Sequence, residues 1–241
     1  MVKQMLFYEN IVSLSQEEHR DWSIEMGKDY FFAQKTNSVP VMAIEFKQLA
    51  HYYPIIFTGT NTENGVFPAV ILGVRGDENI YVNQDGTWSV PYIPAFVRRY
   101  PFIYRSQDEG KTLTLSIDQS FRGFNQQNQG HKLFDERESP TAFLQGAMDF
   151  INNFQAQYEP TQAFCQHLQT LELLTPRKAD IKLSSGQTMA LDGFMSIDRD
   201  RFQALDRDRV HELFNNDMLE LIYLHLHSMA HFDYVIKHMG L

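Results

Sequence analysis

Two adjacent arginines, Arg98 and Arg99, lie inside the run Trp88-Ser-Val-Pro-Tyr-Ile-Pro-Ala-Phe-Val-Arg-Arg-Tyr-Pro-Phe102, which holds five aromatics and three prolines. Prolines restrict the backbone around them, so neighbouring guanidinium groups are aimed in different directions rather than left on one solvated face. One arginine in an aromatic-walled groove can clamp a carboxylate or phosphate through two parallel N–H donors. Alternatively, one pairs with a buried acid, for which Glu45, Asp85 and Asp118 are the candidates, while the other is exposed. The residues singled out for ligand binding are therefore Arg98, Arg99, Trp88, Tyr92, Tyr100 and Phe102.

A second cluster is formed by His225, His227 and His231, with His211 and His238 nearby. On one continuous helix His227, His231 and His238 would share a stripe, and a His pair four residues apart is a real metal-ligand spacing. A further ligand would have to come from elsewhere, with Glu220 and Asp233 as candidates, and the HExxH pattern is absent. Locally hydrogen-bonded imidazoles are the favoured reading, so no metal and no cofactor is expected. Cys165, the only cysteine, has His167 two positions on, which faces away on a helix, so a buried inert thiol is expected. Nucleophile elbows, S-x-x-K pairs and phosphate loops are absent.

At 241 residues with 43% hydrophobic and 21% charged content, the composition is that of a globular protein. A net charge of −9 argues against nucleic acid or anionic lipid as partner, since both require clustered Lys and Arg. No run approaches the roughly 18 apolar residues of a membrane span, and the first ten residues lack the apolar segment of a secretory signal. With a single cysteine the expectation is a cytoplasmic protein.

The expected fold is α+β, a mainly antiparallel sheet from the N-terminal half covered by C-terminal helices, in one domain over residues 1–241. Residues 39–118 read as β-rich. Pro54–Thr58 and Phe67–Val74 are apolar runs bounded by turn residues, and Lys111–Asp118 alternates. Asn79–Asn83 and Thr87–Val90 flank the hairpin dipeptide Asp85-Gly86. Residues 121–130 are Asn/Gln-rich and aperiodic, so they read as a loop and the weakest-ordered stretch.

Residues 139–241 read as helix-rich. Ser139 is the expected N-cap, and Pro140 the first residue, of a helix carrying Phe143, Leu144, Ala147, Ile151 and Phe154. A second helix is expected from about Thr161, then a hairpin turning at Ser185-Gly186. The repeat Asp198-Arg-Asp-Arg and Asp206-Arg-Asp-Arg reads as two capped helix starts, and a long helix should run from about Asn216 to His238.

Over nearly its full length the chain resembles the SapC family of bacterial proteins. The matching residues are His19, Tyr30-Phe31-Phe32-Ala33, Val39-Pro40, Glu45-Phe46, Tyr53-Pro54-Ile55-Ile56-Phe57, Leu72-Gly73, Glu78-Asn79 and Asp85-Gly86-Thr87-Trp88. They continue through Tyr92-Ile93-Pro94-Ala95, Arg98-Arg99-Tyr100-Pro101-Phe102, Ile117-Asp118 and Leu133-Phe134-Asp135. Looser matches follow at Leu173-Leu174, Gly193-Phe194, Ile197-Asp198 and Leu224-His225-Leu226-x-Ser228-Met229. The resemblance implies a cytoplasmic or envelope-associated protein linked by name to surface-layer or antimicrobial-peptide biology, and brings no catalytic residue or cofactor with it. It concerns the soluble protein, not the membrane permease of the same name.

These readings converge on a non-catalytic binding or accessory factor that holds a peptide or protein partner in an aromatic, arginine-containing groove. A metal-dependent tailoring enzyme using the C-terminal histidines and a structural oligomer component are the alternatives.

Overall fold

The computed structural model describes residues 6–59, 65–106, 113–182 and 188–238. Its architecture is α+β, with antiparallel strand pairing throughout. The strands, in chain order, are β1 (Ile11–Ser13), β2 (Ser23–Ile24), β3 (Ser38–Pro40), β4 (Ile55–Thr58), β5 (Phe67–Ile71), β6 (Phe102–Ser106), β7 (Leu113–Asp118), β8 (Phe124–Asn125), β9 (His131–Lys132), β10 (Leu174–Lys182) and β11 (Thr188–Ile197). The helices are α1 (Gln16–His19), α2 (Phe46–Leu49), α3 (Ala95–Arg98), α4 (Ala142–Ala156), α5 (Tyr158–Thr170), α6 (Arg199–Gln203), α7 (Arg207–Asn215), α8 (Met218–Ser228) and α9 (Phe232–Lys237).

Instead of one sheet from the N-terminal half, the described residues form three. The central one has the order β10-β11-β4-β5-β3, so two of its five strands come from the C-terminal half. Two smaller three-stranded sheets have the orders β1-β7-β6 and β8-β2-β9. The runs in β4 and β5 are continuously apolar because both faces of the central sheet are covered. Ile55, Phe57 and Val70 enter the main core, while Ile56, Ala69, Ile71 and Phe194 form a second cluster with Val235 of α9.

Other expectations shift in detail. Asn79–Asn83 and Thr87–Val90 make a tight turn with the single bridge Val82–Trp88, not two strands. Gly86 has φ +82, and a Cβ there would lie 2.8 Å from the Phe31 ring, so the turn needs glycine. Residues 121–130 are not a loose loop. Phe124 and Asn125 pair with β2, and the Asn125 side chain bonds the backbone of Gln127 and Gln129. Helix α4 is capped by Thr141, whose hydroxyl accepts from the Leu144 N–H, because Ser139 and Pro140 are drawn into pairing with Asp135 and Phe134. Helix α5 starts at Tyr158, three residues earlier than expected. The expected turn Ser185-Gly186 lies outside the described residues. Asp198 and Asp206 do cap α6 and α7. The long final helix is interrupted: Asp217 sits at φ +58, and Met229–His231 forms a 3₁₀ turn between α8 and α9.

Candidate functional site: an arginine held in an aromatic groove

Helix α3 is only four residues long and follows Pro94, whose ring offers no hydrogen-bonding group to cap it. The cap is supplied from elsewhere in the chain. Glu45 Oε1 accepts from the Ala95 N–H at 2.7 Å and from the Tyr92 hydroxyl at 2.9 Å, and Oε2 accepts from the Met42 N–H at 3.0 Å. Glu45 is buried. Burial pushes its carboxyl above the usual range, against the pull of the Ala95 and Met42 N–H groups, the Tyr92 hydroxyl and the Arg98 charge. One carboxylate thus fixes the helix that carries both arginines.

Successive residues on a helix point about 100° apart, and the two arginines diverge accordingly. Arg98 is exposed and Arg99 is buried. The Arg98 guanidinium lies between two rings, 5.4 Å from the Tyr92 centroid and 4.9 Å from Phe150 on α4. Its Nε donates to the Ile93 carbonyl at 2.9 Å, and its Nη2 approaches the Tyr92 hydroxyl at 3.4 Å. Stacking and a backbone bond orient the guanidinium before any ligand arrives, which lowers the entropy lost on binding. Arg99 packs over Phe96 at 4.1 Å and Phe154 at 5.1 Å.

Two contiguous hollows of about 300 and 350 Å³ meet at Met26, Arg98 and Phe143 and together make the groove. Tyr30, Phe32, Tyr100 and Phe121 line one part, and Phe102, Phe150 and Ile151 the other. Arg98, Arg99, Tyr100 and Phe102 are therefore brought together. Trp88 and Tyr92 stand behind the lining. The Trp88 indole N–H donates to the Tyr53 hydroxyl at 2.7 Å, which in turn donates to the Tyr92 carbonyl at 2.5 Å. Sequence reasoning missed Tyr30, Phe32, Phe143 and Phe150 as lining; the Tyr30-Phe31-Phe32 run was a usable signal.

The acids considered as arginine partners behave differently. Glu45 reaches Arg98 only through Tyr92. The Asp118 carboxylate is satisfied by N–H and O–H donors: the N–H groups of Glu9, Asn10 and Ser120 and the hydroxyls of Ser120 and Tyr100. Burial raises its pKa, but the Ser120 hydroxyl and those N–H groups outweigh it and hold the carboxyl below the ordinary value. Asp85 is an exposed turn residue that accepts from the N–H and hydroxyl of Thr87.

The histidines do not converge. Among the described residues no group of three or more His, Cys, Asp or Glu side chains is placed to hold a metal ion. The 3₁₀ turn breaks the stripe. The His231 ring donates to the Ala50 carbonyl at 2.9 Å, the His238 ring to its own helix at Tyr234, and His227 is exposed. Cys165 is buried, and burial pushes its thiol up to about 12.

His225 and Ser228 have a structural task that accounts for the family-like motif around them. Strands β4 and β11 pair at Thr58–Phe194 and Phe57–Met195, and continuing the register would set Ile56 opposite Ser196 and then Ile55 opposite Ile197. There the strands part. The Ile55 N–H is taken by the Ser228 hydroxyl at 3.0 Å and the Ile197 N–H by His225 Nε2 at 3.0 Å. Helix α8 thus wedges the sheet open and satisfies both orphaned donors. Because Nε2 accepts, the ring is neutral. Burial lowers its pKa to about 3, with the Arg177 charge adding to the effect and the Ile55 backbone opposing it.

The fold and site define an α+β protein with a pre-oriented arginine in an aromatic groove and, among the described residues, no helix long and apolar enough to cross a membrane. The chain belongs to the SapC family, whose model matches residues 14–234. No curated protein matches the chain, and no solved structure does.

Proposed function

We propose that the protein is a non-catalytic binding or accessory factor that holds a peptide or protein segment in the groove around Arg98. The observation that carries this reading is the preparation of Arg98: an exposed guanidinium sandwiched between Tyr92 and Phe150, anchored on the Ile93 carbonyl, at the junction of two ring-lined hollows. Such a site takes a carboxylate on the guanidinium and apolar side chains between the rings. A chain of charge −9 does not steer strongly acidic segments towards itself, so the segment offers one carboxylate rather than an acidic run. The surface-layer or peptide-resistance setting that the family name suggests is compatible with a peptide-holding role. Selection from a displayed peptide library on the full chain tests the proposal. The expected result is enrichment of sequences that pair a carboxylate with aromatic or aliphatic residues and lose binding to Arg98→Ala. Sequences that bind wild type and Arg98→Ala alike, or no enrichment, would refute it.

A further inference from the structure

Arg98 lies where the two hollows of its groove join, not in one of them alone. The hollow of about 300 Å³ leads past Tyr30 and Phe121, and the hollow of about 350 Å³ leads along α4 past Gly146 and Phe150. Asp29 is the one acid that lines either hollow among the described residues, so a second carboxylate on a ligand would be repelled from the first hollow and meet rings and aliphatic groups in the other. The groove therefore matches one negative charge at Arg98 with apolar groups to both sides of it.

Gly146 shapes the second hollow. It lies inside the 15-residue helix α4, where glycine is less favourable than alanine, and a Cβ there would have nothing within 4 Å beyond its own helix. Packing thus does not call for glycine at this position. Gly146 follows Phe143 by three positions and precedes Phe150 by four, so all three share one face of α4 and the missing side chain leaves a slot between two rings. Both rings have fixed neighbours: Phe143 stacks on His131 at 4.6 Å, and the Arg98 guanidinium lies 4.9 Å from Phe150. A flat side chain fits such a slot.

We propose, resting on the groove reading above, that Gly146 is a specificity determinant: its slot takes an aromatic side chain of a peptide segment whose carboxylate belongs to an internal Asp or Glu. A second apolar side chain of the segment occupies the hollow beside Tyr30 and Phe121. A C-terminal carboxylate on Arg98 would end the chain at the junction and leave one hollow empty. In an extended segment alternate side chains share a face about 7 Å apart, which sets the apolar residues two before and two after the acid.

The probe is the blocked peptide acetyl-Ser-Phe-Ser-Glu-Ser-Phe-Ser-amide, titrated by calorimetry into the full chain. One-to-one binding that is lost in Arg98→Ala is expected. Replacing one Phe of the peptide by Ser should weaken it about tenfold to a hundredfold, and acetyl-Ser-Phe-Ser-Gly with a free C-terminus should bind no more tightly than that. Gly146→Leu fills the slot, so it should weaken the two-Phe peptide by the same factor while raising the melting temperature of the free protein by about 1–3 °C. Gain of stability with loss of binding separates a slot kept open for a ligand from a purely structural glycine. Undiminished binding to Gly146→Leu, a melting temperature below that of wild type in this variant, or the C-terminal acid binding as tightly as the two-Phe peptide would overturn the assignment and leave the groove reading standing. Binding that survives Arg98→Ala, or no binding at millimolar peptide, would overturn both.

Discussion

Replacing Ser228 by Ala removes one oxygen from the point where α8 parts β4 from β11. Both ends of the lost contact are buried: the Ile55 N–H donates to the hydroxyl at 3.0 Å, and the hydroxyl donates to the His225 carbonyl at 2.6 Å. Alanine fills the same space without an acceptor. The Ile55 N–H is then stranded, because the register aims it away from β5 and towards the gap that β11 leaves. An unsatisfied buried donor costs about 1–3 kcal/mol. With a central value of about 2 kcal/mol, a chain of this length should lose about 4–8 °C in Tm. Urea denaturation of wild type and Ser228→Ala, followed by far-UV circular dichroism, measures the difference directly. His225→Phe, which strands the Ile197 N–H, should cost a similar amount, and the two changes should be non-additive because they open one gap. If Ser228→Ala changes stability by less than about 0.5 kcal/mol, the wedge account is wrong.

Three further outcomes are expected. His225 has a folded pKa of about 3 against an ordinary value near 6.5, so the unfolded chain binds more protons between these limits. Its contribution is complete above about pH 6.5 and falls as the pH drops towards 3, amounting to on the order of 3 kcal/mol lost by about pH 4; the slope of stability against pH should flatten in His225→Phe. Arg99→Ala should cost about 2–4 kcal/mol through lost ring packing, and Arg98→Ala about 1 kcal/mol or less, as read from urea midpoints. The Cys165 thiol should react with a disulfide reagent only as fast as the chain unfolds, so rapid stoichiometric labelling of native protein would contradict its burial.

Elements with a long period could be read from sequence. β4, β5, β7 and β11 and the helices α4 and α5 stand close to where their apolar patterns place them, and Asp198 and Asp206 cap as their chemistry suggests. What could not be read is which strands choose each other. β2, β8 and β9 are two residues long and carry no period, and the joining of β10 and β11 to β4 is a tertiary choice between apolar strands that look alike. The same holds at the site. Adjacent arginines announce that they differ, but only the path of α3 decides that Arg99 turns inwards, over the rings of Phe96 and Phe154. Glu45 was visible as a buried-acid candidate, yet its role as the cap of a helix fifty residues away depends on a turn that no local pattern encodes. The motif around His225 and Ser228 was recognisable as a resemblance, and its imidazoles read as locally hydrogen-bonded, with a metal on the neighbouring histidines as the lesser alternative. Its purpose became clear only from the register at which β4 and β11 separate.

The most direct test of the groove is a cycle on a library-selected peptide, titrated with its carboxylate free or converted to the amide into wild type and Arg98→Ala. If Arg98 clamps the carboxylate, amidation should weaken binding to wild type by about 1.5–3 kcal/mol and leave binding to Arg98→Ala unchanged. Equal losses on both proteins, a coupling energy within about 0.5 kcal/mol of zero, would contradict the proposal that this arginine holds the partner.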